Sequence, residues 1–195
     1  MTTATTPATG WRVVDIVVAA ALAVAFGVVF WAWNALWLPL FAGQVNPLAY
    51  LVSGMWLVPG VLGMLIIRKP GAAIFTETLA AVVSALLGSV WGLDAVLSGA
   101  VQGAGAELVF AALLYRSFSL PVALLAGAGA AIGEWLHDMP VYYAGTAFEV
   151  QLAYGVFMLI SGVLIAGLGS WLLVRAIAPT GALGQFEAGR AQTEV

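Results

Sequence analysis

Cysteine is absent from this chain of 195 residues, so neither a disulfide nor a thiolate metal site can form. Histidine occurs once, as His137, which excludes a metal centre built from several imidazoles. Charge is scarce: six basic and nine acidic residues make up 8% of the sequence, against roughly a quarter in soluble domains. So few charges cannot cover the surface of a water-soluble domain. The net charge is -3 at pH 7 and no basic stripe occurs, which excludes a nucleic-acid partner. No phosphate loop of the form G-x-x-x-x-G-K is present, so any ATP chemistry must come from another chain.

What remains is apolar. Hydrophobic residues make up 63% of the chain and the mean hydropathy is +1.07. The bilayer must be most of its solvent. Residues 1–10 are Thr/Ala-rich and uncharged, and are expected to form a disordered tail. They do not read as a signal peptide, because no charged n-region is present and the apolar run that follows is too long. The expected fold is an all-α, multi-pass bundle of six transmembrane helices over residues 11–176, with residues 177–195 as a cytoplasmic tail. Apolar runs place the spans at about 13–33, 48–67, 72–90, 95–115, 120–138 and 150–174, each near the ~20 residues a crossing needs. The breaks are Asn46-Pro47, Arg68-Lys69-Pro70-Gly71, Gly92-Leu93-Asp94, Arg116 to Pro121, and His137 to Glu149. On this reading Arg12, Arg68, Lys69, Arg116, Arg175 and Arg190 all fall on one side, while Asp94, Asp138 and Glu149 fall on the other. The positive-inside rule then puts both termini in the cytoplasm of a cell-membrane protein. No internal repeat is visible, which disfavours an inverted-repeat transporter.

Carboxylates inside a membrane are costly and are functional candidates by default. Three stand out: Glu77, Glu107 and Glu134. Glu134 falls about 6 Å below the expected outer end of span five, while Glu77 and Glu107 fall in the inner half. Glu134, His137 and Asp138 share a helical stripe by their i, i+3, i+4 spacing. Span six opens with Glu149, Gln151 and Tyr154; Glu77, Ser84 and Trp91 recur at seven-residue intervals in span three. Gln102 lies about 12 Å in from Asp94, and Tyr50 and Ser53 share a face of span two. Above them come loops carrying Trp33, Asn34, Trp37, Asn46, Tyr142 and Tyr143. Rings for stacking, a carboxylate for counter-charge, and amides and hydroxyls for orientation suit a flat, cationic, aromatic ligand. The candidate binding residues are Glu134, Trp91, Ser84, Gln102, Asn34, Tyr50, His137, Tyr154 and Gln151. The plainer reading puts the Trp and Tyr residues in an interfacial belt, His137 as a polar cap, and Glu77 and Glu107 as hydrogen-bonded interior groups or contacts to a partner subunit. No catalytic set, cofactor or metal site is expected.

Small residues form a second pattern. Ala19, Ala23 and Gly27 recur at four-residue steps, beside a row of Ala21 and Ala25; Gly99 with Gly103 and Gly129 with Gly133 repeat the spacing. Such rows let helices approach closely. In spans four and five they read as internal packing. In span one a row facing inward leaves another free for a partner protein.

Longer strings carry a resemblance. Asp15–Gly27, Phe30-Trp31-Ala32-Trp33-Asn34, Arg68-Lys69-Pro70-Gly71-Ala72-Ala73 and Leu97–Phe110 are similar to the YkoE family of S components of energy-coupling factor (ECF) transporters. The likeness covers roughly residues 11–176. It implies a membrane subunit that binds thiamine or its hydroxymethylpyrimidine precursor in its outer half, beneath the first, third and fifth loops. It also implies a separate transmembrane coupling (T) subunit, contacted by the alanine rows Ala19, Ala23 and Ala21, Ala25, and ATPase subunits. One departure is Ser84, where family members often carry a glutamate; the counter-charge would then fall to Glu134 or another acid. Some relatives bear a cobalt label, so a cobalt-type permease subunit is the alternative. The lack of cysteine and the lone histidine speak against tight Co²⁺ binding. An intramembrane hydrolase using His137 with Ser89 or Ser98 has nothing to fix its geometry. A channel or scaffold is the third class, and neighbouring genes for coupling and ATPase subunits would argue against it.

Overall fold

The computed structural model describes residues 10–41 and 45–190. Nearly all of the expected tail 1–10, and the last five residues of the chain, lie outside the described residues. The protein is an all-α, multi-pass membrane protein. Its helices are α1 (Val13–Phe41), α2 (Val58–Ile67), α3 (Ala72–Leu86), α4 (Asp94–Ala112), α5 (Leu120–Tyr142), α6 (Phe148–Ser161), α7 (Ser170–Ile177) and α8 (Glu187–Arg190). A 3₁₀ helix, Pro47–Leu57, leads into α2, and a π-helical stretch, Gly162–Gly169, joins α6 to α7. Among the described residues, five rods are long and apolar enough to cross a membrane; α3, with 15 residues, is shorter.

Every residue of α2 is buried. It is apolar on all sides and forms the axis around which the other helices pack. Helix α1 turns Ala19, Ala23 and Gly27 inward and packs against α3, where a side chain on Gly27 would strike Val83 and the Ala80 carbonyl. Ala21 and Ala25 face outward and are exposed. Gly99 and Gly103 sit against α3, and Gly129 and Gly133 against α4, so these pairs pack helices within the chain.

Four departures from the expected spans matter. Helix α1 runs on to Phe41, eight residues past the expected end, and carries Asn34, Trp37 and Phe41 with it. Helix α3 stops at Leu86 instead of 90. Gly88, at φ 88°, lets its own N–H reach the Ala85 carbonyl while the Ser89 N–H reaches that of Ser84, which closes the helix in a Schellman cap. Trp91 therefore sits in a loop, and the seven-residue face shared with Glu77 and Ser84 does not exist. Helix α5 continues through Pro140 to Tyr142, which puts Glu134 about 12 Å from its end, not 6 Å. Beyond residue 176 the chain folds back: Leu183, Phe186 and Ala188 are buried, and α8 packs against α2.

A side chain of α6 braces the 3₁₀ helix. The Ser161 hydroxyl accepts the Gly54 N–H at 2.8 Å and donates to the Leu51 carbonyl at 2.8 Å, inserting itself between a donor and acceptor three residues apart. Runs this long are uncommon. Because the helix turns every three residues, Tyr50, Ser53 and Trp56 line up along one edge.

Glu77 and Glu107 serve helix ends. Glu77 Oε2 accepts the Gly60 N–H at 2.6 Å in the first turn of α2. Glu107 accepts the N–H groups of Gly71 (2.7 Å) and Ala73 (2.9 Å) at the start of α3. Each carboxylate, supplied by a neighbouring helix, takes donors that a helix leaves free at its start.

One end of the bundle gathers the basic residues. Asp15, wholly buried, accepts from Arg12 at 2.8 Å and from Lys69 at 2.6 Å. The Trp11 indole donates to the Pro70 carbonyl at 2.9 Å, Arg68 lies over the Phe118 ring, and Arg12 reaches the Gln185 carbonyl at 3.4 Å. The N-terminal segment, the α2–α3 and α4–α5 loops and the C-terminal segment thus meet at this end.

Candidate functional site

At the opposite end, a cavity of about 470 Å³ opens between the extension of α1, the 3₁₀ helix, the α3–α4 loop and the outer turns of α4, α5 and α6. Its volume lies within the range of small-molecule sites. Lining residues include Trp37, Tyr50, Trp56, Trp91, Tyr142, Tyr143 and Tyr154, with Asp94, Glu134 and Asp138 as the acids. No lysine or arginine is among the described residues that line it.

Glu134 forms its centre of charge. Its Oε2 accepts from Ser98 Oγ at 2.7 Å and from Gln102 Nε2 at 2.6 Å, and Gln102 also donates to Ser98 at 2.7 Å. This triangle fixes the carboxylate and leaves Oε1 to the cavity. Gln102 Oε1 is buried without a partner among the described residues. Glu134 Oε1 is thereby left to accept an N–H group of a ligand, while Gln102 Oε1 is closed off from the cavity.

A second network braces the mouth. His137 lies 3.1 Å from Asp138 Oδ1 through Nδ1 and 3.3 Å from Asp94 Oδ1 through Nε2, tying α5 to the first residue of α4. Tyr142 also donates to Asp94. The Tyr50 hydroxyl lies 3.2 Å from Asp138 Oδ2 and 2.9 Å from that of Tyr143. Burial pushes the Tyr143 hydroxyl above the usual phenol range, so it stays a neutral donor. Rings pack edge to face along the wall: Trp37 with Trp56 at 4.8 Å, Tyr50 with Tyr154 at 4.9 Å, Trp91 with Tyr142 at 5.5 Å.

Seven of the nine candidate binding residues meet here: Glu134, Trp91, Ser84, Gln102, Asn34, Tyr50 and Tyr154. His137 and Gln151 do not line the cavity. His137 stands behind Asp138, and Gln151 donates to the carbonyls of Tyr143 (2.9 Å) and Thr146 (3.2 Å), bracing the α5–α6 loop. Sequence reasoning overlooked Trp56, whose place beside Tyr50 and Ser53 depends on three residues per turn. An α-helix would have turned it about 120° away from Tyr50.

Residues 14–133 match the family described as ABC-type cobalt transport system, permease component. A protein of Bacillus subtilis (strain 168), provisionally named HMP/thiamine permease protein YkoE, is 37% identical over 182 residues, which are 92% of this chain and 91% of the relative. A crystal structure of an S-component of an ECF transporter matches with a TM-score of 0.87 and 34% identity, over 95% of this chain and 94% of that one.

Proposed function

This chain belongs to the YkoE-like S components of ECF transporters, and on that premise we propose that its cavity captures thiamine or the hydroxymethylpyrimidine precursor for import. The observation that carries the reading is the fixed Glu134 carboxylate inside an aromatic wall free of basic side chains. An aminopyrimidine brings N–H donors to that carboxylate. A positively charged ring gains about 1–2 kcal/mol per desolvated contact with a tryptophan or tyrosine face. Six spans with both termini cytoplasmic put the basic end inside and the cavity outside, as capture of an external vitamin requires. The chain then works with a coupling subunit and ATPase subunits.

Cobalt is the competing occupant. Glu134, His137 and Asp138 present ligand atoms within 4.8 Å of one another. Both ring nitrogens of His137 are engaged by aspartates, and two carboxylates alone are a poor match for Co²⁺. Calorimetry on the detergent-solubilised protein with thiamine, hydroxymethylpyrimidine and Co²⁺ in parallel decides between them. Saturable binding of either pyrimidine, undisturbed by Co²⁺, is expected; binding of Co²⁺ alone would overturn the reading.

Of the four alanines proposed to meet the coupling subunit, Ala19 and Ala23 are spent inside the bundle, which leaves Ala21 and Ala25. Small exposed residues let a partner helix approach closely. Tryptophan at both positions is expected to leave ligand affinity unchanged and to remove most vitamin uptake by cells expressing the whole transporter. Uptake at the wild-type rate would move the contact elsewhere.

A further inference from the structure

We infer that Asn34 is a positioning residue, holding the two tryptophans of the cavity wall in register for the ligand. The inference rests on the proposed capture of an aromatic cation.

Asn34 is buried in the α1 extension. Its Oδ1 accepts the indole N–H of Trp56 at 3.1 Å and that of Trp91 at 3.1 Å, and its Nδ2 donates to Ser89 Oγ at 3.1 Å. Ser89 Oγ in turn accepts the Trp91 backbone N–H at 3.4 Å. The amide's orientation is thereby determined: flipped, its NH₂ would face two N–H donors. One side chain therefore joins α1, the 3₁₀ helix and the α3–α4 loop, and answers two indoles that have no other partner in these hydrogen bonds. An indole donates only through Nε1, so an acceptor at that atom fixes how the ring plane stands. Each ring then passes its orientation on, Trp56 to Trp37 and Trp91 to Tyr142. With both acceptor lone pairs and one of its two amide N–H groups in use, most of the hydrogen-bonding capacity of Asn34 goes to the wall. Its role is to make a stacking surface out of rings that three separate elements deliver.

The test compares Asn34→Leu with Asn34→Asp in the full chain. Leucine removes the shared acceptor; aspartate keeps one oxygen for both indoles and turns the other to Ser89, which then donates. Near-UV circular dichroism and tryptophan emission are recorded without ligand, and thiamine affinity by calorimetry. Asn34→Leu is expected to change the indole bands and to weaken binding by about 10- to 100-fold, as loss of a supporting shell does elsewhere. Asn34→Asp is expected to restore the bands and most of the affinity. Indole bands unchanged in Asn34→Leu, or altered equally in both variants, would overturn the inference. Should Asn34→Leu not fold, Ser89→Ala frees only the amide's donor side, and is expected to broaden the indole bands with a smaller loss of affinity; no change in either would count against it. The ligand-free spectra test Asn34 even if thiamine proves not to bind the wild type, which would instead sink the vitamin reading.

Discussion

Glu134→Gln is expected to weaken binding of a thiamine-like cation by about 2–4 kcal/mol, roughly 30- to 700-fold, at nearly unchanged fold stability. Glutamine keeps the shape of the side chain and an oxygen to accept from Ser98 or Gln102, so the pocket should persist. What disappears is the negative charge, in a site where little water screens it. Glu77→Gln is the control. Its carboxylate is buried against the Gly60 N–H and does not line the cavity, so affinity should stay within a few-fold of wild type. Calorimetry on both variants reads the difference. Tight binding by Glu134→Gln and its loss in Glu77→Gln would shift the counter-charge to the inner acid.

The residues behind this prediction were legible because charge inside a membrane is rare enough to be noticed singly. Glu134 was found that way, Gln102 from its depth below Asp94, and the acids and rings flanking them followed from their closeness to span ends. The roles of Glu77 and Glu107 were left open between structure and partner contact. Sequence shows a carboxylate at a given depth, but not which neighbouring helix begins beside it. Asn34 was readable as a polar group among aromatics, yet its three partners come from two other segments at long separation, and no local pattern encodes them. The span ends at Phe41 and Leu86 were misplaced because hydropathy measures lipid compatibility, whereas one end is set by packing over a cavity and the other by a cap at Gly88.

Adding a single methyl group at Gly105 or Gly127 is expected to be severe. A Cβ at Gly105 would enter the carbonyl of Gly129, and one at Gly129 would enter that of Gly105. Gly127 and Gly162 stand in the same reciprocal relation across α5 and the π-helical stretch. Backbone meets backbone at both places, so no rotamer change relieves the overlap and the helices themselves must part. Gly105→Ala and Gly127→Ala should each cost about 3 kcal/mol or more, at the upper end of core overpacking. The readout is a markedly lower melting temperature and loss of the monodisperse peak in detergent. Gly145→Ala, with nothing within 4 Å of its added Cβ, should behave as wild type. Normal melting of both interior variants would mean that these helices lie farther apart than described.

The 3₁₀ helix between Pro47 and Leu57 behaves as a screw with a three-residue thread. Tyr50, Ser53 and Trp56 reach the ligand space only because each full turn returns the next of them to the same bearing. Inserting or deleting one or two residues would rotate part of the row by about a third of a revolution and swing its members toward lipid or toward the buried axis. Chains that keep this wall while varying the length of the segment can therefore do so only in steps of three.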